Sequence, residues 1–116
     1  MAKVKVVGEE LILELSFWER VGALHSSPRV SLNAVTKVEF IDNLWSNKVL
    51  RGVRAPGTGI PYRVLLGTMR GRNYRDFTAI FGRGAGVVIC LNEAPFERWI
   101  FTLRQPKSEL EGLINP

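Results

Sequence analysis

Histidine and cysteine occur once each in this chain of 116 residues, at His25 and Cys90. One cysteine excludes an internal disulfide, and one of each cannot build the multi-ligand zinc sites that proteins assemble from thiolates and imidazoles. No Asp-rich calcium loop is present, so neither a metal nor another cofactor is expected. A serine hydrolase needs an exposed nucleophile, a base and an orienting acid, and the Gly-x-Ser-x-Gly motif is missing. His25 is followed by Ser26 and Ser27 with only Glu19 as a nearby preceding acid, which reads as a solvated turn. Cys90 lies in the run Val87-Val88-Ile89-Cys90-Leu91, apolar enough for a strand buried on both faces, where a thiol is structural. The chain is therefore expected not to be an enzyme, with no catalytic residue. No run approaches the roughly 18 apolar residues of a membrane span. The opening residues alternate lysine with valine and lack the long apolar region of a secretory signal, so the cytoplasm is the expected compartment.

Acids are scarce in one third of the chain. From Arg51 to Gly86 there are seven arginines (51, 54, 63, 70, 72, 75 and 83), one acid (Asp76) and eight of the 11 glycines. Seven arginines against one acid give this stretch +6, while the other residues sum to −1. Every cation here is arginine, whose planar fork suits phosphate and carboxylate. With a formal charge of +5 and a pI near 9.9, the chain favours contact with nucleic acid, anionic membrane or acidic protein. Net charges of about 2 to 8 are also ordinary for small soluble domains. Arg51, Arg54, Arg63, Arg72 and Arg75 are the candidate residues for binding an anion or an acidic partner.

What is abundant is period-two alternation. Lys3 to Val6 and Leu11 to Leu15, separated by Gly8-Glu9-Glu10, predict a hairpin. Ser16 to Glu19 reads as a capping box, with Phe17, Val21 and Leu24 at helical spacing, so a helix is predicted over about 17–24. Pro28 ends any continuation. Strands are predicted at Arg29–Leu32 and Val35–Asp42, the second with Val38 and Phe40 on one face and Lys37 and Glu39 on the other. Asn43 to Gly59 shows no period and contains Pro56-Gly57, a turn pair. Four strands follow at 63–70, 76–82, 86–92 and 97–104, the last placing Trp99, Phe101 and Leu103 on one face. After Pro106 the period changes: Leu110, Leu113 and Ile114 form one stripe of a helix of roughly nine residues, too short to persist undocked. A single domain over residues 1–116 is expected, mainly β with a docked C-terminal helix.

Two glycine-rich segments bear on phosphate binding. Gly82-Arg83-Gly84-Ala85-Gly86 leads into a strand, whereas a dinucleotide fingerprint opens a helix and a P-loop needs a trailing Lys-Ser or Lys-Thr. A tight hairpin is the plainer reading. In Ala55–Pro61, glycines near Arg51, Arg54 and Arg63 would let backbone N–H groups approach an anion, or two prolines simply shape a crossover. Trp18 and Trp45 lie outside the predicted strands, suited to capping the core edge or to marking a contact.

The ending Ala94-Pro95-Phe96-Glu97-Arg98-Trp99-Ile100-Phe101-Thr102-Leu103, followed by Gln105-Pro106 and a helix, resembles bacterial pleckstrin-homology-like proteins. So does the capped turn leading into Val30-Ser31-Leu32-Asn33-Ala34-Val35. The segment Leu50 to Pro61, with Leu66-Gly67-Thr68 and Asp76-Phe77, is similar to a group of small uncharacterised bacterial proteins. The resemblance covers most of the chain and carries no catalytic signature. It implies a partly open antiparallel barrel of about seven strands in two near-orthogonal sheets, with the C-terminal helix capping one end, and a role as a binding scaffold. Lipid-binding members place a basic cluster between the first two strands. Here that loop is Gly8-Glu9-Glu10, and no binding residue is carried over.

Two functions fit these readings. One is a non-catalytic module binding protein or peptide, self-association through a sheet edge included. The alternative is a small basic barrel binding nucleic acid or another polyanion through the Arg/Gly-rich band, with Tyr62, Tyr74 and Phe77 as stacking groups.

Overall fold

A computed structural model describes residues 3–23, 26–45, 50, 53–60, 63–82, 85–103 and 105–114. It begins with the predicted hairpin, β1 (Lys3–Val7) and β2 (Glu10–Glu14), paired antiparallel with Val7 opposite Glu10. A two-residue turn matched to strand twist needs left-handed φ at its first position, and Gly8 takes φ +63° there. The capping box forms as its residues require: the Ser16 Oγ accepts from the Glu19 N–H at 3.3 Å, and Glu19 Oε1 accepts from the Ser16 N–H at 2.8 Å. It opens helix α1 (Phe17–Ala23), after which β3 (Arg29–Ser31) returns to pair with β2 and complete a three-stranded sheet, β1-β2-β3.

A 3-10 turn at Leu32–Ala34 leads into the second sheet. Its strands are β4 (Val35–Ile41), β5 (Val53–Ile60), β6 (Val64–Arg70), β7 (Arg75–Phe81), β8 (Gly86–Leu91) and β9 (Arg98–Thr102), in the order β4-β8-β9-β7-β6-β5. β7 and β8 are the arms of a split hairpin, and β9 lies between them, parallel to β7 and antiparallel to β8. The side chains of β9 explain its place. Trp99 and Phe101 face one core, Ile100 faces another, and all three are at most 1% exposed, which only an interior strand permits. Asp76 of β7 stands in register with Arg98 of β9 and accepts from its Nη2 at 2.7 Å and its Nε at 3.2 Å.

The larger sheet is therefore covered on both faces. On one side Leu66, Phe77, Val87, Ile89, Trp99 and Phe101 pack with Val4, Leu11 and Leu13 of the small sheet; on the other Leu65, Ile80, Val88 and Ile100 pack with Leu44. Helix α2 (Lys107–Ile114) buries Leu110 completely and leans Leu113 and Ile114 on the first core. Gln105 precedes it and acts as a peptide group would: its Oε1 accepts from the Val4 N–H at 2.6 Å and its Nε2 donates to the Val4 carbonyl at 3.3 Å, along the edge strand β1.

Three sequence expectations change. The fold is mainly β with a C-terminal helix, as expected, but the described residues form nine strands in two sheets where about seven were expected, and they close no barrel, so the partly open barrel is not confirmed. The pairing of β7 with β9 is parallel because an apolar strand with two buried faces takes the interior position. Most of β5 lies where no period was legible. Its register shifts between Arg54 and Gly57, around Pro56, and it is a sheet edge, the position where a strand tolerates a proline that cannot donate.

Gly86, the first residue of β8, is needed for packing. A Cβ there would sit 2.5 Å from the Phe101 carbonyl oxygen and overlap the Leu44 side chain. Gly86→Ala should destabilise the fold by about 1–3 kcal/mol, as overpacking of a close-packed interior does. A urea titration checks it; an unchanged midpoint would mean that Leu44 and the Phe101 carbonyl both give way without cost.

Candidate binding surface

Among the described residues, Arg63 lies at the opposite end of β6 from Arg72 and Arg75. Arg51 lies outside the described residues, and Arg54 is described by its backbone alone, opposite Met69 near the end of β6. Arg63 precedes the start of β6, exposed. Six residues of extended strand separate positions 54 and 60 along β5, a span of roughly 20 Å at about 3.3 Å per residue, so Arg54 and Arg63 flank opposite ends of that strand. Ala55–Ile60 is itself strand rather than a loop around an anion. Arg72 and Arg75, both exposed, belong to the β6–β7 turn together with Arg70, which pairs in register with Arg75. Arg75 is also tied down: its Nη2 donates to the Pro95 carbonyl at 2.8 Å and its guanidinium lies 5.3 Å from the centre of the Phe96 ring. Tyr74 folds over Gly71, where any Cβ would overlap its ring; Tyr62 lies outside the described residues and Phe77 is wholly buried. Asp76, the one acid of the band, is engaged by Arg98 from outside it.

Helix α1 carries a second surface, and its polarity is inverted. An apolar stripe at helical spacing ordinarily faces a core. Here Glu19 and Ala23 are buried, while Phe17 is 60%, Trp18 76% and Val21 48% exposed. Glu19 is held inward by the capping box, so its place on the helix sends residues 17, 18 and 21 outward. The Phe17 and Trp18 rings meet edge to face, centroids 5.2 Å apart. The two non-strand tryptophans therefore divide. Trp45 braces a core edge, its Nε1 donating to the Gly82 carbonyl at 2.8 Å, and Trp18 stands in solvent.

Beside α1 runs a groove of about 600 Å³, walled by Lys5, Glu14, Ser16, Arg20, Ser27 and Arg29. Arg20 belongs to the same helical stripe as Phe17 and Val21, three residues on from one and next to the other, so the groove borders the aromatic face. Lys5 and Glu14 form a diagonal cross-strand ion pair. The Lys5 ammonium, by its hydrogen bond and its charge, holds the Glu14 carboxyl below its ordinary value. Arg29 meets Glu10 only at 3.7 Å, with both side chains more than half exposed. Sequence reading missed this cluster because its cations come from three separate elements and no short window contains them.

No three His, Cys, Asp or Glu side chains gather among the described residues, and His25 lies outside them. Cys90 is half-buried, and its thiol is pushed up from its ordinary pKa first by burial and then by Glu39, which withholds the nucleophilic thiolate. No described helix is long and apolar enough to cross a membrane. No protein-family model, curated protein or solved structure matches this chain significantly.

Proposed function

We propose that the chain is a non-catalytic binding module that holds a protein or peptide segment against the outward face of α1. The observation that carries this reading is Trp18, 76% exposed beside exposed Phe17 and Val21 on two turns of helix. Single exposed apolar residues are ordinary, but a contiguous aromatic cluster kept in water is a mark of a contact surface. The β-rich scaffold with a docked C-terminal helix is what this fold has in common with the pleckstrin-homology-like expectation, whereas the parallel β7–β9 pair departs from an antiparallel barrel.

Selection of a random peptide library on the full chain tests the reading. Binders should lose at least tenfold in affinity on Trp18→Ser, about 1.4 kcal/mol or more. A library without binders, or binders indifferent to Trp18, would sink it.

The polyanion reading retains one supporting observation, the exposed Arg70, Arg72 and Arg75 on the β6–β7 turn. On that reading heparin retention at low salt falls when these three become serine and is unmoved by Arg63→Ser. Equal retention of all three proteins would count against it.

A further inference from the structure

The groove beside α1 is rich in donors and its acceptors are committed. Ser27 Oγ accepts from the Leu15 N–H at 3.0 Å, and Ser16 Oγ accepts from the Glu19 N–H. A hydroxyl that accepts from the backbone still has its own proton to donate. Arg20, exposed on α1, makes no ion pair among the described residues. Arg29 is held only loosely, and the one acid of the wall, Glu14, is occupied by Lys5. Three cations against one carboxylate give the lining itself +2, which Glu10 beyond the wall reduces to +1 through its ion pair with Arg29, leaving Arg20 as the uncompensated cation.

We propose that this groove is an oxyanion site, and that the segment held on α1 is an acidic peptide. It would place a carboxylate or phosphorylated side chain between Arg20, Arg29 and the two serine hydroxyls. A neighbouring apolar side chain of that peptide would rest on Phe17, Trp18 and Val21. Charge complementarity selects the occupant: a recess with directional donors fits a discrete oxyanion carried on a side chain. A flat anionic bilayer would meet the exposed face of α1 without filling the recess. The inference rests on the binding reading above and adds the chemistry of the partner.

The test is an amide-resolved NMR titration of the full chain with four probes. These are a synthetic hexapeptide of alternating glutamate and leucine, the same peptide with glutamine for glutamate, inorganic phosphate, and phosphatidylcholine vesicles containing phosphatidylserine. The acidic peptide and inorganic phosphate should both shift the amides of Ser16, Arg20, Ser27 and Arg29. The glutamine peptide should bind at least tenfold more weakly. Arg20→Gln should weaken peptide and phosphate at least tenfold while leaving the remaining spectrum in place, and Arg29→Gln gives the same readout should the first variant perturb the helix. Trp18→Ser should weaken the peptide and leave phosphate binding unchanged. Equal binding of the two peptides, or indifference to both arginine replacements, overturns the oxyanion site while the aromatic reading stands if Trp18→Ser still acts. Silence of Trp18→Ser as well overturns both. Vesicle binding that requires Arg20, with the groove unmoved by the peptide, assigns the site to lipid headgroups and overturns the peptide partner.

Discussion

Arg98→Ala should cost about 3–5 kcal/mol of folding stability, the loss that follows when one member of a buried ion pair is removed. Asp76 is fully buried and Arg98 is 15% exposed, so the surviving carboxylate would be left in the interior without this cation. Two of Arg98's hydrogen bonds converge on one oxygen, Asp76 Oδ2, at 2.7 and 3.2 Å. The pair also marks where β9 begins its parallel register on β7, with Asp76 opposite Arg98 and Phe77 opposite Trp99. Its loss therefore falls on the strand that separates the two cores. Urea unfolding is the measurement. With a slope of about 1–3 kcal/mol per molar urea, the midpoint should drop by at least about 1 M. Arg98→Lys keeps the charge but presents a point donor in place of the fork, and should fall between the two. A drop under about 0.3 M for the alanine variant would show that Asp76 is satisfied without Arg98.

Much of the fold was legible because local chemistry and tertiary packing agree. The capping box of Ser16 and Glu19, the glycine turn between β1 and β2, the two-sided apolar run of β8 and the stripe of α2 all appear where their residues place them. What escaped was decided by neighbours. β5 carries Pro56 and two glycines, a loop signal on its own, and becomes strand because an edge with a register shift accommodates them. The insertion of β9 between β7 and β8 depends on which strand can bury two faces at once, a comparison among strands and not a property of one. The same holds for the site. Density along the chain drew attention to the arginines of 51–86, yet the structure gathers Lys5, Arg20 and Arg29 from three elements into one groove. Trp18 was visible as a residue outside the strands. Its exposure followed only from Glu19 turning inward.

Truncation after position 104 should remove most of the chain's stability. Leu110 is completely buried, and a leucine reduced to alanine in such a place typically costs about 2–5 kcal/mol. Gln105 is buried too, and it satisfies both the N–H and the carbonyl of Val4 on the outer edge of β1; without it those hydrogen bonds, each worth about 0.5–1.5 kcal/mol net, are exchanged for bonds to water. Helix α2 also reaches the far sheet, where the Lys107 ammonium lies 4.4 Å from the centre of the Phe40 ring on β4. Removing the segment therefore uncovers the seam between the sheets at both sides, and its contributions compete with a total stability of only about 5–15 kcal/mol. Thermal unfolding followed by circular dichroism should show the truncated chain melting at least about 10 °C lower, or losing its cooperative transition. The single variants separate the causes. Gln105→Ala should act through β1, freeing the Val4 amide to exchange, and Leu110→Ala should lower the melting temperature further with that amide still protected. A truncated chain that melts with the intact one would mean that α2 is not docked, and that the small sheet closes the first core without it.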